Sequence, residues 1–195
     1  MTDETIRILI AIYPNSQAAE DGLKKVETAK QDQGVDIIDA AVVRRDENNQ
    51  LHIHETEDVT GRRGATVGGI LGGVLGIMAG PGGILAGVAV GAVVGAAAAS
   101  AIDTGIPHKR LTEIGNQLKP GGAALVILTE AGFSSFIESA LGDEGVNLHA
   151  EMMDAEAARR LGHAHDVALK ALNMGEALSE GGMASPTDER PSKPS

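Results

Sequence analysis

Cysteine is missing from all 195 residues of the chain. Disulfides, thiol nucleophiles and Cys-ligated zinc or iron–sulfur centres are thereby excluded. Tryptophan is missing too, and Tyr13, Phe133 and Phe136 are the only aromatic residues. Positive charge is scarce: 16 Lys and Arg stand against 27 Asp and Glu, for a formal net charge of −11. That balance argues against a nucleic-acid partner, because polyphosphate backbones are bound by basic surfaces. From residue 64 to residue 102 charge of either sign is absent.

Glycine, by contrast, is abundant. There are 26, and twelve of them fall within the uncharged run. Residues 1–60 carry six basic and thirteen acidic side chains, and residues 103–195 carry eight and fourteen. An acidic, water-compatible sequence is thus interrupted by a neutral, glycine-rich apolar insert. The expected organisation is residues 1–60 as the first part of an α/β domain and residues 61–103 as an apolar hairpin. Residues 104–180 supply the second part with a C-terminal helix, and 181–195 a disordered Pro/Ser tail. Residues 1–4 are polar and acidic and the apolar stretch 6–12 is short, so no secretory signal is expected and the chain is placed in the cytoplasm.

The flanks read as alternating strands and helices. Residues 6–13 are rich in β-branched side chains and stop at Pro14-Asn15, a buried strand. Ser16 is the expected N-cap of a helix that runs to Gln33, with Gly34 as its C-cap. Residues 35–44 and 51–55 read as a hairpin around Asp46-Glu47-Asn48-Asn49. Its second strand puts Leu51 and Ile53 on one face and His52 and His54 on the other. After the insert come a helix from Pro107 to about Leu118, a strand at 123–129, a helix at 134–141, a strand at 146–151 and a last helix starting at Asp154. This order suits a ferredoxin-like two-layer sandwich, mostly antiparallel, from which the insert leaves as a glycine-zipper helical hairpin.

The insert has a register. Gly64, Gly68, Gly72, Gly76 and Gly80 recur every four residues; after Pro81-Gly82, Gly83, Gly87, Gly91 and Gly95 do so again. On a helix such positions lie almost on one line, so each arm would carry a smooth groove. Glycine costs an exposed helix roughly 1 kcal/mol per residue, whereas a bilayer rewards close helix approach through small-xxx-small faces. The first arm, of about 25 Å, is short for a hydrocarbon core of about 30 Å, and the second, of about 30 Å, matches it. A hairpin that spans or dips into the lipid bilayer is expected. A soluble homo-oligomer with hairpins packed in a shared core is the alternative, and a flexible linker fits worst because almost nothing in the run is polar. Arg62 and Arg63 before the hairpin and His108, Lys109 and Arg110 after it place both ends on the cytoplasmic side of the inner membrane. On this reading the insert is separable, and removing residues 64–102 leaves a folded domain.

Several blocks together resemble a bacterial family known only as a domain of unknown function. They are Asp39-Ala40-Ala41-Val42-Val43-Arg44, Leu51-His52-Ile53-His54-Glu55, the glycine hairpin, Gly105-Ile106, and Leu118-Lys119-Pro120-Gly121 before Ala124-Leu125. The resemblance runs from about Ile6 to Leu161. It implies a small α/β domain with a glycine-rich membrane hairpin, and no activity.

Residues suited to chemistry are few. His52 and His54 share one strand face and could offer two metal ligands, joined by His149 if their strands are neighbours. Polar strand positions are the plainer reading. His163 and His165 are about 200° apart on a helix and cannot share a metal. Gly80-Pro81-Gly82-Gly83 lacks the Gly-Lys-Ser/Thr ending of a phosphate loop, and Ser134-Ser135 lies in no nucleophile elbow. Asp36 and Asp39 flank apolar strand positions and could form a paired acid, but solvated strand residues are the plainer reading. The expected protein is a non-enzyme without cofactor, tethered to the membrane and associating with copies of itself. A metal or small-ligand sensor built on the histidines is a further alternative.

Overall fold

The computed structural model describes residues 5–54, 70–79, 85–86, 106–142, 146–154 and 156–157. The chain opens with β1 (Thr5–Tyr13) and α1 (Ser16–Gln33). The helix is capped one residue earlier than expected: the Asn15 side chain accepts the Ala18 N–H at 2.9 Å. Gly34 ends it in the left-handed conformation, at φ 65°. Then follow β2 (Ile37–Arg45), β3 (Leu51–His54), α2 (Ile70–Ala79) and the two-residue β4 (Leu85–Ala86). The second half contributes α3 (His108–Gln117), β5 (Ala123–Glu130), a 3₁₀ turn (Ala131–Phe133), α4 (Ser134–Leu141) and β6 (Asn147–Asp154).

The result is a mixed α+β fold. Five antiparallel strands form one sheet, and β4 adds a short parallel pairing to β3; the order is β4-β3-β2-β5-β1-β6. β5 pairs antiparallel with both β1 and β2, so β1 and β2 run parallel with β5 between them, bridged by α1. β1 likewise separates β5 from β6, which α4 bridges. Two split βαβ units therefore interlock. α1 and α4 cover one face of the sheet, burying Leu23, Val26, Ile137 and Leu141 against Leu9, Ala11, Leu125 and Ile127. The two central strands are apolar on both faces because both faces are covered.

The second face departs from the expected two layers. It is covered by α2 and α3, so helices sandwich the sheet. Leu71, Val74, Leu75 and Met78 from α2 join Leu111, Ile114 and Leu118 from α3 over Ile8, Ile10, Val43 and Val126. α2 belongs to the first arm of the insert, which the sequence reading sent away from the domain. The aliphatic side chains between its glycines bury themselves on the sheet instead. At ten residues α2 is about 15 Å long, half a hydrocarbon core. Among the described residues no helix is long and apolar enough to cross a membrane. The second arm was expected to be helical from Gly83, but Leu85–Ala86 is extended and pairs with Leu51 and His52 of β3. Gly72 and Gly76 are buried within α2; Gly64, Gly68, Gly80, Gly83, Gly87, Gly91 and Gly95 lie outside the described residues. So do Arg62, Arg63, His163, His165 and the tail, while Glu156 and Ala157 are helical where the last helix was expected.

Candidate functional site

The most developed polar arrangement sits where α2 and α3 meet over the end of β2. The last turn of α2 leaves carbonyls with no partner inside the helix. Thr112 of α3 donates its hydroxyl to Ile77 O at 3.3 Å. Gly115 lets the Met78 peptide group lie against the α3 backbone: a Cβ there would collide with Met78 O and stand 2.8 Å from Met78 C. Glycine is therefore required at this point by close approach rather than by dihedral angles. Its place on the apolar face, four residues after Leu111 and beside Ile114, is the one hint the sequence carries.

Arg45 completes the junction. It alternates with Ala41 and Val43 along β2 and so points inward, where it is 5% exposed. Its guanidinium donates to Asn49 Oδ1 at 2.9 Å, to Asn49 O at 3.2 Å and to Gly115 O at 3.1 Å. The Gly115 carbonyl belongs to the negative end of α3, where a cation is favoured. The Arg45 backbone meanwhile exchanges hydrogen bonds with Gly121 and Gly122 ahead of β5. Burial pulls the Arg45 guanidinium below its ordinary value, and Nε makes no hydrogen bond. One side chain thus ties together the β2–β3 hairpin, the end of α3 and the start of β5. Strand alternation would have marked Arg45 as inward; the sequence reading ended the strand at Arg44 and missed it.

The other candidates scatter. His52 Nε2 donates to Asp46 Oδ2 at 2.8 Å, and Asp46 Oδ1 accepts the N–H groups of Asn48 and Gln50. The His52 bond, followed by that from Gln50, holds the Asp46 carboxyl below the usual range. His52 therefore pins the hairpin turn. His54 follows it on β3, opposite Val42. His149 lies on β6, four strand spacings from β3, about 19 Å at ~4.8 Å each, so it cannot join them in one site. No group of three or more His, Asp or Glu placed to hold a metal ion occurs among the described residues. His149 is 3.2 Å from Gln117 Oε1, which also accepts from Asn147, and burial followed by the neighbouring Arg110 lowers its pKa.

The basic flank after the insert is also partly engaged. Arg110 donates to Glu151 of β6 at 2.8 Å, and Lys109, well exposed, stands 3.8 Å from Glu113 one turn along α3. Ser134 is buried and gives its hydroxyl to Ala131 O, while Ser135 is exposed. Asp36 is exposed as expected, but Asp39 is not: it is 6% exposed, on the inward side of β2 beyond a register shift between Ile37 and Asp39. Asp39 keeps the parity of Ala41, Val43 and Arg45, so strand alternation carries this carboxylate inward with them. Burial pushes its pKa up to about 6, against the pull of the Ala40 N–H at 2.9 Å.

The junction of Arg45, Thr112, Gly115 and Met78 is adhesive within the fold: its donors and acceptors hold α2, α3 and the β2–β3 hairpin together. Residues 65–166, from the insert through β6, match the model of a family described as Protein of unknown function (DUF1269). No curated protein and no solved structure matches the chain.

Proposed function

This chain belongs to that family of unknown function, and from this premise we propose that it is a non-enzymatic association module. Its α/β domain associates with copies of itself through the glycine-rich segment. The observation that carries the reading is the α2–α3 junction, where the part of that segment that is described packs by direct backbone approach at a glycine. The same chemistry is open to Gly87, Gly91 and Gly95, beyond the extended Leu85–Ala86, whose four-residue spacing on a helix would offer a groove to a second copy. The interlocked split βαβ units support reading the domain as ferredoxin-like, elaborated by α2, β4 and α3 on its second face. His52, held by Asp46, and Arg45, held by Asn49 and Gly115, are occupied in ways that favour a structural over a catalytic reading.

A bilayer is the second reading, favoured by the absence of charge between residues 64 and 102. With α2 committed to the sheet and Leu85–Ala86 to β3, lipid contact would fall on residues 87–102, about 24 Å if helical, with the domain on the cytoplasmic side. Cell fractionation followed by sizing tests both. Self-association through the glycines expects a particle larger than one chain without detergent, made smaller by Gly91→Leu and unchanged by Val93→Leu. A particle size indifferent to Gly91→Leu refutes it. A pellet that resists alkaline carbonate transfers the segment to the bilayer.

A further inference from the structure

Among the described residues, β6 ends the sheet on the side away from β4. It pairs with β1 from Asn147 to Asp154, and alternate residues of such an antiparallel strand turn their N–H and C=O groups outward. Proteins blunt long edges of this kind with lysine, proline or bulges. β6 reads Asn-Leu-His-Ala-Glu-Met-Met-Asp, without lysine, proline or glycine. The charge of Glu151 is answered from its own α3 by Arg110. On the face shared with α4, Met152 is 59% exposed and Phe136 is 48% exposed, and Ala150 is exposed between Leu148 and Met152.

We propose that β6 is an interface for a second copy of this chain, paired antiparallel about a two-fold axis at Ala150. Two copies that continue one sheet keep their helix layers on the same sides, so facing residues must have the same parity and the axis must pass through a residue. An axis at Glu151 sets two carboxylates against each other. An axis at Met152 faces Ala150 with Asp154, and one at His149 sets two imidazoles against each other and leaves Met152 opposite Val146, which precedes the strand. At Ala150, Leu148 faces Met152 of the second copy on the α4 side, and His149 faces Glu151 on the α3 side. Apolar meets apolar and an imidazole N–H meets a carboxylate, contacts of the kind that stabilise cross-strand pairs. This surface is separate from the glycine-rich segment and stands whether or not that segment associates.

The chain has no cysteine, so one introduced thiol reports one position. Residues facing each other across antiparallel strands have Cα atoms about 4.5–5.5 Å apart, inside the window of about 4.4–6.8 Å for a disulfide. Full-length Ala150→Cys is expected to oxidise to a covalent dimer in several-fold higher yield than the exposed control Ser135→Cys. A mixture of Leu148→Cys and Met152→Cys chains should cross-link to each other more than either does alone. Adding Met152→Lys to Ala150→Cys should abolish the dimer, and adding Gly91→Leu should leave it intact. Yields no higher than Ser135→Cys overturn the proposal. So does an Ala150→Cys thiol that resists alkylation in the monomer, which means that the chain's own residues cover β6. A dimer lost with Gly91→Leu also overturns it, because the cross-link then reports the glycine segment.

Discussion

Gly115→Ala separates two lines of reasoning that disagree in sign. Helix propensity says that alanine in the interior of α3 should stabilise the protein by about 1 kcal/mol. The packing says the opposite. The new methyl would meet the Met78 carbonyl head-on, with Met78 C at 2.8 Å and Met78 Cα at 3.0 Å. All three neighbours are backbone, so no rotamer change relieves the overlap and α2 must shift as a body. Overfilling a packed core costs about 1–3 kcal/mol. Here the shift also strains the Thr112 bond to Ile77 O and the Arg45 bond to Gly115 O. After the propensity gain, a net loss of about 2 kcal/mol is expected. Urea denaturation measures it, and hydrogen exchange locates it: Leu71, Val74 and Leu75 amides should lose protection before those of β1 and β5. Gly132→Ala is the control, since nothing lies within 4 Å of its Cβ position. A Gly115→Ala protein as stable as wild type, or more so, with α2 protection intact, would refute the claim that α2 docks by backbone contact.

Other expectations follow from the same contacts. Replacing residues 64–102 by a short flexible linker removes Leu71, Val74, Leu75 and Met78 from the second core; the product should be unfolded or aggregated by circular dichroism and sizing, against the simple tether view. Arg45→Ala removes the bonds to Asn49 O, Asn49 Oδ1 and Gly115 O, leaving the last with the Leu118 N–H alone, and should cost about 1–3 kcal/mol in chemical denaturation. His52→Ala loses one hydrogen bond to Asp46 at a half-buried turn, a cost of about 1 kcal/mol, with no change in bound zinc by elemental analysis; stoichiometric metal lost in the variant would restore the sensor reading. Asp39 has a folded pKa of about 6, above the unfolded value of about 3.9, so the native state holds the extra proton. Its contribution is fully present below about pH 4 and is lost as pH rises through 6. Asp39→Asn should therefore flatten the wild-type decline in urea midpoint across that window, and an unchanged slope would show that Asp39 titrates normally.

The strands and α1 were legible because their burial is one-dimensional. Period-two alternation gave Leu51 and Ile53 to the core, and Gly34 stopped α1 where a left-handed residue was needed. The insert was misread for a physical reason. A run of glycine and aliphatic residues describes a helix that must be buried, but not whether lipid, another copy or its own sheet buries it. The missing clue lay in the partner. β1 and β5 are apolar on both faces, and a sheet apolar on both faces needs a second layer to cover it. His149 is kept from the other two histidines by strand order: nothing local in His52 and His149 says that four strand spacings separate them. Asp39 was missed because its charge argued for solvent, although it shares the parity of inward Ala41 and Val43.

The position of β1 in the sheet also has consequences in time. It is made first, yet its two neighbours, β5 and β6, lie roughly 115 to 140 residues downstream. At about 5–20 residues per second, a ribosome takes roughly 6 to 30 s to supply them. Throughout that interval Ile6-Arg7-Ile8-Leu9-Ile10-Ala11-Ile12 is a strand-forming segment without either native partner, and α2 emerges with no sheet to cover. Closing contacts over such separations is slow, and unpaired apolar strands are what aggregation begins from. Slower translation lengthens the exposure of this unpaired strand.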